Sequence, residues 1–141
     1  MDFDESIAAL ATRTKKLLPH IKTEEATKQA LVVPFLQAMG YDPSDPTEVV
    51  PEFVADFATK KGEKVDYAIL RHGKPIMVVE CKWSGMGLDS LHAEQLYRYF
   101  NVTGAKVGIL TNGISYRFFT DLEKANQLDG RPFLEFNVLD A

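Results

Sequence analysis

The sequence predicts an α/β fold with a central mixed β-sheet flanked by α-helices. Three observations carry this. Two segments with helical spacing of apolar residues open the chain, two short apolar runs follow as a strand pair, and a further helical segment separates that pair from two more strands. The resulting order is α-α-β-β-β-α-β-β with a short final element, read as a single domain over 1–141.

Residues 4–18 read as the first helix. Ile7, Leu10, Ala11, Leu17 and Leu18 recur on one face, and Pro19 is the stop. Thr23 can cap a second helix reaching to about Met39; Glu24 and Glu25 fall in its first turn and Gly40 follows its end. Pro34 is expected to kink or break this helix, because it cannot donate a backbone hydrogen bond. Residues 42–46 (DPSDP) form a turn-rich connector. Residues 47–53 are a first strand whose prolines favour an edge. Lys60-Lys61-Gly62 makes a turn, and 64–70 and 75–82 form the strand pair.

Residues 83–87 (WSGMG) are expected to be a flexible loop. Asp89 or Ser90 can cap a helix running to about Asn101. Residues 106–111 and 115–120 are two further strands, and Asn112-Gly113 between them is the strongest hairpin signal in the chain. Residues 121–131 are polar loop, and 132–139 (PFLEFNVL) end the chain in a strand-like run.

Composition narrows the function classes. At 141 residues the chain is long enough to bury a core, and 45% apolar with 26% charged residues is ordinary for a globular protein. No run of about 18 apolar residues is present, so no membrane helix is expected. The acidic start lacks the basic region of a signal peptide. The single cysteine, Cys81, permits no internal disulfide and fits a reducing compartment, so a cytoplasmic location is expected. His20, His72 and His92 show no zinc-ligand spacing. The net charge of −4 does not advertise nucleic-acid binding, although a local basic face is compatible with it. No phosphate-cradling glycine motif points to nucleotide hydrolysis.

The chemistry concentrates in Val65-Asp66-Tyr67 and Val79-Glu80-Cys81-Lys82. These put two carboxylates and an ammonium on strands that otherwise read as buried, where charge is costly. Glu80 and Lys82 are two residues apart and share a sheet face. Asp66 joins them only if it stands opposite Glu80, with Ala68 opposite Val78. A three-residue loop (His72 to Lys74) or a five-residue loop gives that register. A two- or four-residue loop puts Asp66 on the other face unless a bulge corrects it. Such a set suits a hard cation such as Mg²⁺, with the lysine beside it as a point charge for a phosphate or an attacking hydroxide. A plain structural ion pair accounts equally well for the spacing.

Asp66, thirteen residues, then Glu80-Cys81-Lys82 resembles the D…(D/E)XK signature of the PD-(D/E)XK nucleases. The wider run TEEATKQALVVPFLQAMGYD, EVVPEF, KVDYAIL, GKPIMVVECKW, QLYRYF and GILTNGISYRFFTD, over roughly 22 to 138, resembles the N-terminal nuclease domain of type I restriction enzyme R subunits. That resemblance implies a restriction-endonuclease-like core and a Mg²⁺-dependent endonuclease acting on DNA, with Mn²⁺ able to substitute. It implies Asp66, Glu80 and the backbone carbonyl of Cys81 as metal ligands, and Lys82 as the catalytic lysine. Glu24 is implied as a further catalytic acid, with Glu25 the open alternative. Either glutamate also fits as favourable charge at a helix N-terminus. Gln95 and Tyr99 match the Q-x-x-x-Y element shared with RecB-like nucleases and lie on one helix face. A helix-to-sheet hydrogen bond is the structural reading of Gln95.

Lys64, Lys74, Trp83 and Arg98 are candidates for touching DNA, against a default of solvated surface for the cations and packing for Trp83. The R subunits carry motor domains that this chain lacks, so further domains or subunits of a restriction-type complex are expected partners. Three functional classes stay open, two of them a DNA endonuclease core and a catalytically silent nuclease-fold module that binds nucleic acid or a partner protein. An enzyme of another metal-dependent class is a third.

Overall fold

A computed structural model describes residues 2–54, 64–88, 93–125 and 127–141. Helix α1 spans Phe3–Leu17, capped by Asp2, whose carboxylate accepts from the N–H of Glu5 at 2.8 Å. Pro19 follows in a 3₁₀ turn. The second helix starts at Glu24 under the Thr23 cap, whose Oγ1 accepts from the N–H of Ala26 at 3.0 Å. It has three parts: α2 (Glu24–Thr27), a π-helical turn (Lys28–Val32) and α3 (Val33–Ala38). The expected break at Pro34 takes the form of that widened turn. Pro34 cannot bond the carbonyl of Ala30, and Arg13 Nε of α1 donates to it instead, at 3.2 Å.

Six strands follow: β1 (Val49–Phe53), β2 (Val65–Arg71), β3 (Lys74–Cys81), β4 (Val107–Thr111), β5 (Ser115–Phe119) and β6 (Leu134–Asn137). They form one sheet in chain order. Only β3 and β4 pair in parallel, joined across helix α4 (Glu94–Thr103); the other neighbours are antiparallel. The sheet is therefore mixed, and the architecture is consistent with the restriction-endonuclease-like core that the resemblance implies. β1 is an edge, as its prolines predict. The region of Lys60, Lys61, Asp89, Ser90 and His92 lies outside the described residues, and with it the expected turn and helix cap.

Both faces of the sheet are covered. On one, α1 and the second helix bury Ile7, Leu10, Val32 and Phe35 against Tyr67, Ile69, Val79 and Tyr116. The Phe35 and Tyr116 rings stack with centroids 3.9 Å apart. On the other, α4 lays Leu96, Tyr99 and Phe100 over Ala68, Val78 and Leu110.

The β2–β3 register departs from the expected loop and reaches the expected result. Arg71 pairs with Lys74, so the turn holds only His72 and Gly73, at φ values of 52° and 77°. Two left-handed residues match the twist of a two-residue hairpin. Carried down the ladder unshifted, this turn would set Asp66 opposite Val79. A bulge intervenes: Leu70 pairs with Pro75 and Ile69 with Met77, leaving Ile76 as the extra residue. Ala68 then faces Val78 and Tyr67 faces Val79, which brings Asp66 level with Glu80.

Candidate active site

The parallel pair β3–β4 ends at Cys81 and Thr111, and the acids gather at this carboxyl end. Beyond Tyr67 and Val79 the β2 and β3 strands part. The N–H of Cys81 donates to Oδ2 of Asp66 at 2.7 Å, so a side chain fills the fork where the backbone ladder would continue. The other oxygen, Oδ1, accepts from the Lys28 ammonium at 3.3 Å. Asp66 thus has a donor on each oxygen and little freedom to rotate.

Glu80 is only 3% exposed. Its pKa is pushed up to about 9, first by burial and then by the Asp66 carboxyl, acting as hydrogen-bond partner and as like charge. Lys82 opposes the shift, with its Nζ 3.9 Å from Glu80 Oε2, and Glu24 adds to it. Glu24 therefore lies within electrostatic reach of Glu80. Glu25 turns to Lys28, with Oε2 at 2.9 Å from Nζ.

Asp66, Glu80, Lys82 and Glu24 are thus brought together, and Cys81 stands among them. The Cys81 side chain is fully buried in the core, where burial raises its thiol pKa and leaves it inert. Gln95 donates to the carbonyl of Lys64, tying α4 to the start of β2, and Tyr99 is buried beside it. This bond is the helix-to-sheet tie that the structural reading of Gln95 describes. Of the cations named as DNA contacts, Lys64 sits at the β2 entrance in an ion pair with Glu52 at 3.2 Å. Lys74 is at the opposite end of β3, six residues or about 20 Å from Glu80, and is not part of the cluster. Arg98 is half-buried on α4.

The loop after β3 is anchored rather than free, which corrects the expectation for residues 83–87. The Ser84 N–H donates to the buried Thr27 hydroxyl at 3.0 Å, and Trp83 Nε1 donates to the carbonyl of Ile21 at 3.3 Å. Asn112 Nδ2 holds the carbonyl of Met86 at 2.7 Å. The Trp83 ring lies over Gly85 so closely that an added Cβ would meet it at 2.4 Å, so Trp83 packs, with 38% of its surface left exposed.

Sequence reasoning missed Lys28 and Thr27. Their signal was available: Lys28 is four residues after Glu24 and three after Glu25, on the helix face that carries the acids.

The donor set fits a hard divalent cation in kind. Two touching carboxyls need one positive charge between them, from a proton or a cation, and Mg²⁺ is commonly held by one or two carboxylates while keeping several waters. Among the described residues no cluster of three or more His, Cys, Asp or Glu could hold a metal, so the side-chain ligands of any ion here would be the Asp66–Glu80 pair.

A family model described as "Type I restriction enzyme R protein N terminus (HSDR_N)" matches residues 23–132. The search of curated proteins and that of solved structures found no match.

Proposed function

Because the chain belongs to the family of type I restriction enzyme R protein N termini, we propose that its acid cluster is the hydrolytic centre of a Mg²⁺-dependent DNA endonuclease. The observation that carries this reading is the meeting of Asp66 and Glu80 at the β2–β3 fork, with Lys82 3.9 Å from Glu80. A resting ion pair would not need a second buried carboxyl in contact with the first.

In this reading Asp66, Glu80 and the carbonyl of Cys81 would hold Mg²⁺, or Mn²⁺ in its place. The ion supplies charge neutralisation at the phosphate and a more acidic water. The chain's own residues do the rest. The Cys81 N–H and Lys28 hold Asp66 in one orientation. Lys82, 22% exposed at its side chain, projects from the strand end as a positive charge for the scissile phosphate or the attacking hydroxide. Glu24, at the start of the second helix and within electrostatic reach of Glu80, would be a further acid of that site. Gln95 supports the site from α4 by tying that helix to the start of β2, and Tyr99 packs the same helix into the core. Trp83, next after Lys82, and Lys64, two residues before Asp66, are the candidates for DNA contact. The partners are DNA and the other domains or subunits of a restriction-type complex, in the cytoplasm.

The test is cleavage of supercoiled and single-stranded DNA with Mg²⁺, with Mn²⁺ and with EDTA, for the wild type, Asp66→Ala and Lys82→Ala. The wild type is expected to nick with metal and to be silent in EDTA, and each variant to lose at least about 10²-fold. Equal cutting by the variants would remove the catalytic assignment. Binding of DNA without cutting by the wild type would favour a silent nuclease-fold module.

A further inference from the structure

Lys28 contacts Asp66 directly, and it belongs to no part of the site that the sequence motif names. It emerges from the first position of the π-helical turn. Its ammonium lies between Glu25 Oε2 at 2.9 Å and Asp66 Oδ1 at 3.3 Å, with its side chain 12% exposed. The turn that carries it is held against the sheet: Thr27, one residue before, accepts from Ser84, and Leu31 packs against Gly113. Burial alone would disfavour a charged lysine here, but the hydrogen bonds and charges of Glu25 and Asp66 outweigh it and keep the ammonium form.

The geometry assigns two linked roles. We propose that Lys28 is a positioning residue that fixes the Asp66 carboxylate, and that it also serves as a resident counter-cation whose charge lowers the affinity of the Asp66–Glu80 pair for a divalent ion. The inference rests on the reading of that pair as a divalent-cation site. A fixed positive charge on one oxygen of a ligand carboxylate repels a second cation approaching the same group, and low local dielectric strengthens the repulsion. The benefit is a site that keeps its shape without metal. The cost is weaker binding.

The two roles separate experimentally from a merely structural strut. Mn²⁺ binding is measured by electron paramagnetic resonance and by calorimetry on the wild type, Lys28→Met, Lys28→Gln and Lys28→Arg, each first checked for folding by circular dichroism. Loss of the charge in Lys28→Met or Lys28→Gln is expected to tighten Mn²⁺ binding roughly tenfold, and to lower the melting temperature of the metal-free protein while leaving that of the Mn²⁺-loaded protein nearer the wild type. Lys28→Arg, which keeps the charge, is expected to bind within about twofold of the wild type. A strut alone predicts weaker or unchanged binding in the neutral variants, and that result overturns the inference while leaving the cation site intact. If the wild type binds no Mn²⁺, and Asp66→Ala and Glu80→Ala change nothing, both the inference and the site reading fall.

Discussion

The proton on Glu80 makes folding stability depend on pH in a direction opposite to that of most carboxylates. Burial and the Asp66 carboxyl push its pKa from 4.5 to about 9 in the folded chain. On unfolding, the group returns to ordinary carboxylate behaviour and releases the proton. A raised folded pKa contributes stability that is fully present below about pH 4.5 and is lost as pH climbs through about 9. Within that window one proton changes stability by at most about 1.4 kcal/mol per pH unit. For a domain of this size that is roughly 4–6 °C in melting temperature per unit. The assay is thermal denaturation from pH 5 to 9 in EDTA, comparing the wild type with Glu80→Gln, which keeps the shape and holds a neutral group. Because the two proteins differ at this one side chain, the difference between the two curves isolates Glu80. The wild-type curve is expected to fall relative to the variant as pH rises. Saturating Mg²⁺ is expected to flatten the wild type and leave Glu80→Gln almost unchanged, because a cation held by the pair replaces the proton. Parallel curves for the two proteins in EDTA would refute the reasoning, because they would mean that Glu80 ionises freely inside the fold.

Two other substitutions test the parts that aim the site. Gly113→Ala places a Cβ 2.8 Å from Leu31 Cδ1 on a residue with φ of +83°, so strain and overpacking together are expected to cost about 2–5 kcal/mol, read by urea denaturation; a loss below about 1 kcal/mol would show that the second helix yields easily there. Thr27→Val removes the hydroxyl that accepts from Ser84 and donates to the carbonyl of Thr23 at 3.0 Å, and the stranded N–H is expected to cost about 1–3 kcal/mol and to loosen residues 82–88, seen as faster amide exchange at Ser84. Unchanged exchange would mean that the loop does not depend on this anchor.

What the sequence made legible was mostly periodic. Alternation and turn chemistry located all six strands, the edge position of β1 and the Asn112-Gly113 turn, where Asn112 Oδ1 accepts from the N–H groups of Ile114 and Ser115 at 3.0 and 2.9 Å. Parity along β3 placed Glu80 and Lys82 on one face, and the requirement that Asp66 join them gave the Ala68–Val78 pairing that the sheet adopts. The route to that pairing was not legible. A two-residue turn and a bulge compensate one another, and a bulge leaves no mark in residue spacing when Ile76 continues an apolar run. The anchoring of residues 83–87 was hidden for a related reason. A glycine-containing stretch reads as loose unless the side chains that hold it are known, and here they come from Thr27 and Asn112, far away in the chain.

Lys28 shows why a motif is a partial description of a site. The spacing of Asp66, Glu80 and Lys82 names groups on consecutive strands, where sequence separation and spatial separation run together. Lys28 is 38 residues from Asp66 and reaches it from a helix whose regular bonding gives way to a π turn just ahead of Pro34. Lys28 opens the widened turn and contacts Asp66 at the β2–β3 fork, while Leu31 and Val32 of the same turn are buried in the core. The freed carbonyl of Ala30 is recovered by Arg13, so the distortion leaves no buried acceptor without a partner at that point. A proline that reads as a helix breaker thus bears on the electrostatics of the acids. If the π turn is what aims the ammonium, Pro34→Ala should restore regular helical bonding, rotate Lys28 away from Asp66 and mimic Lys28→Met in metal affinity without removing the lysine.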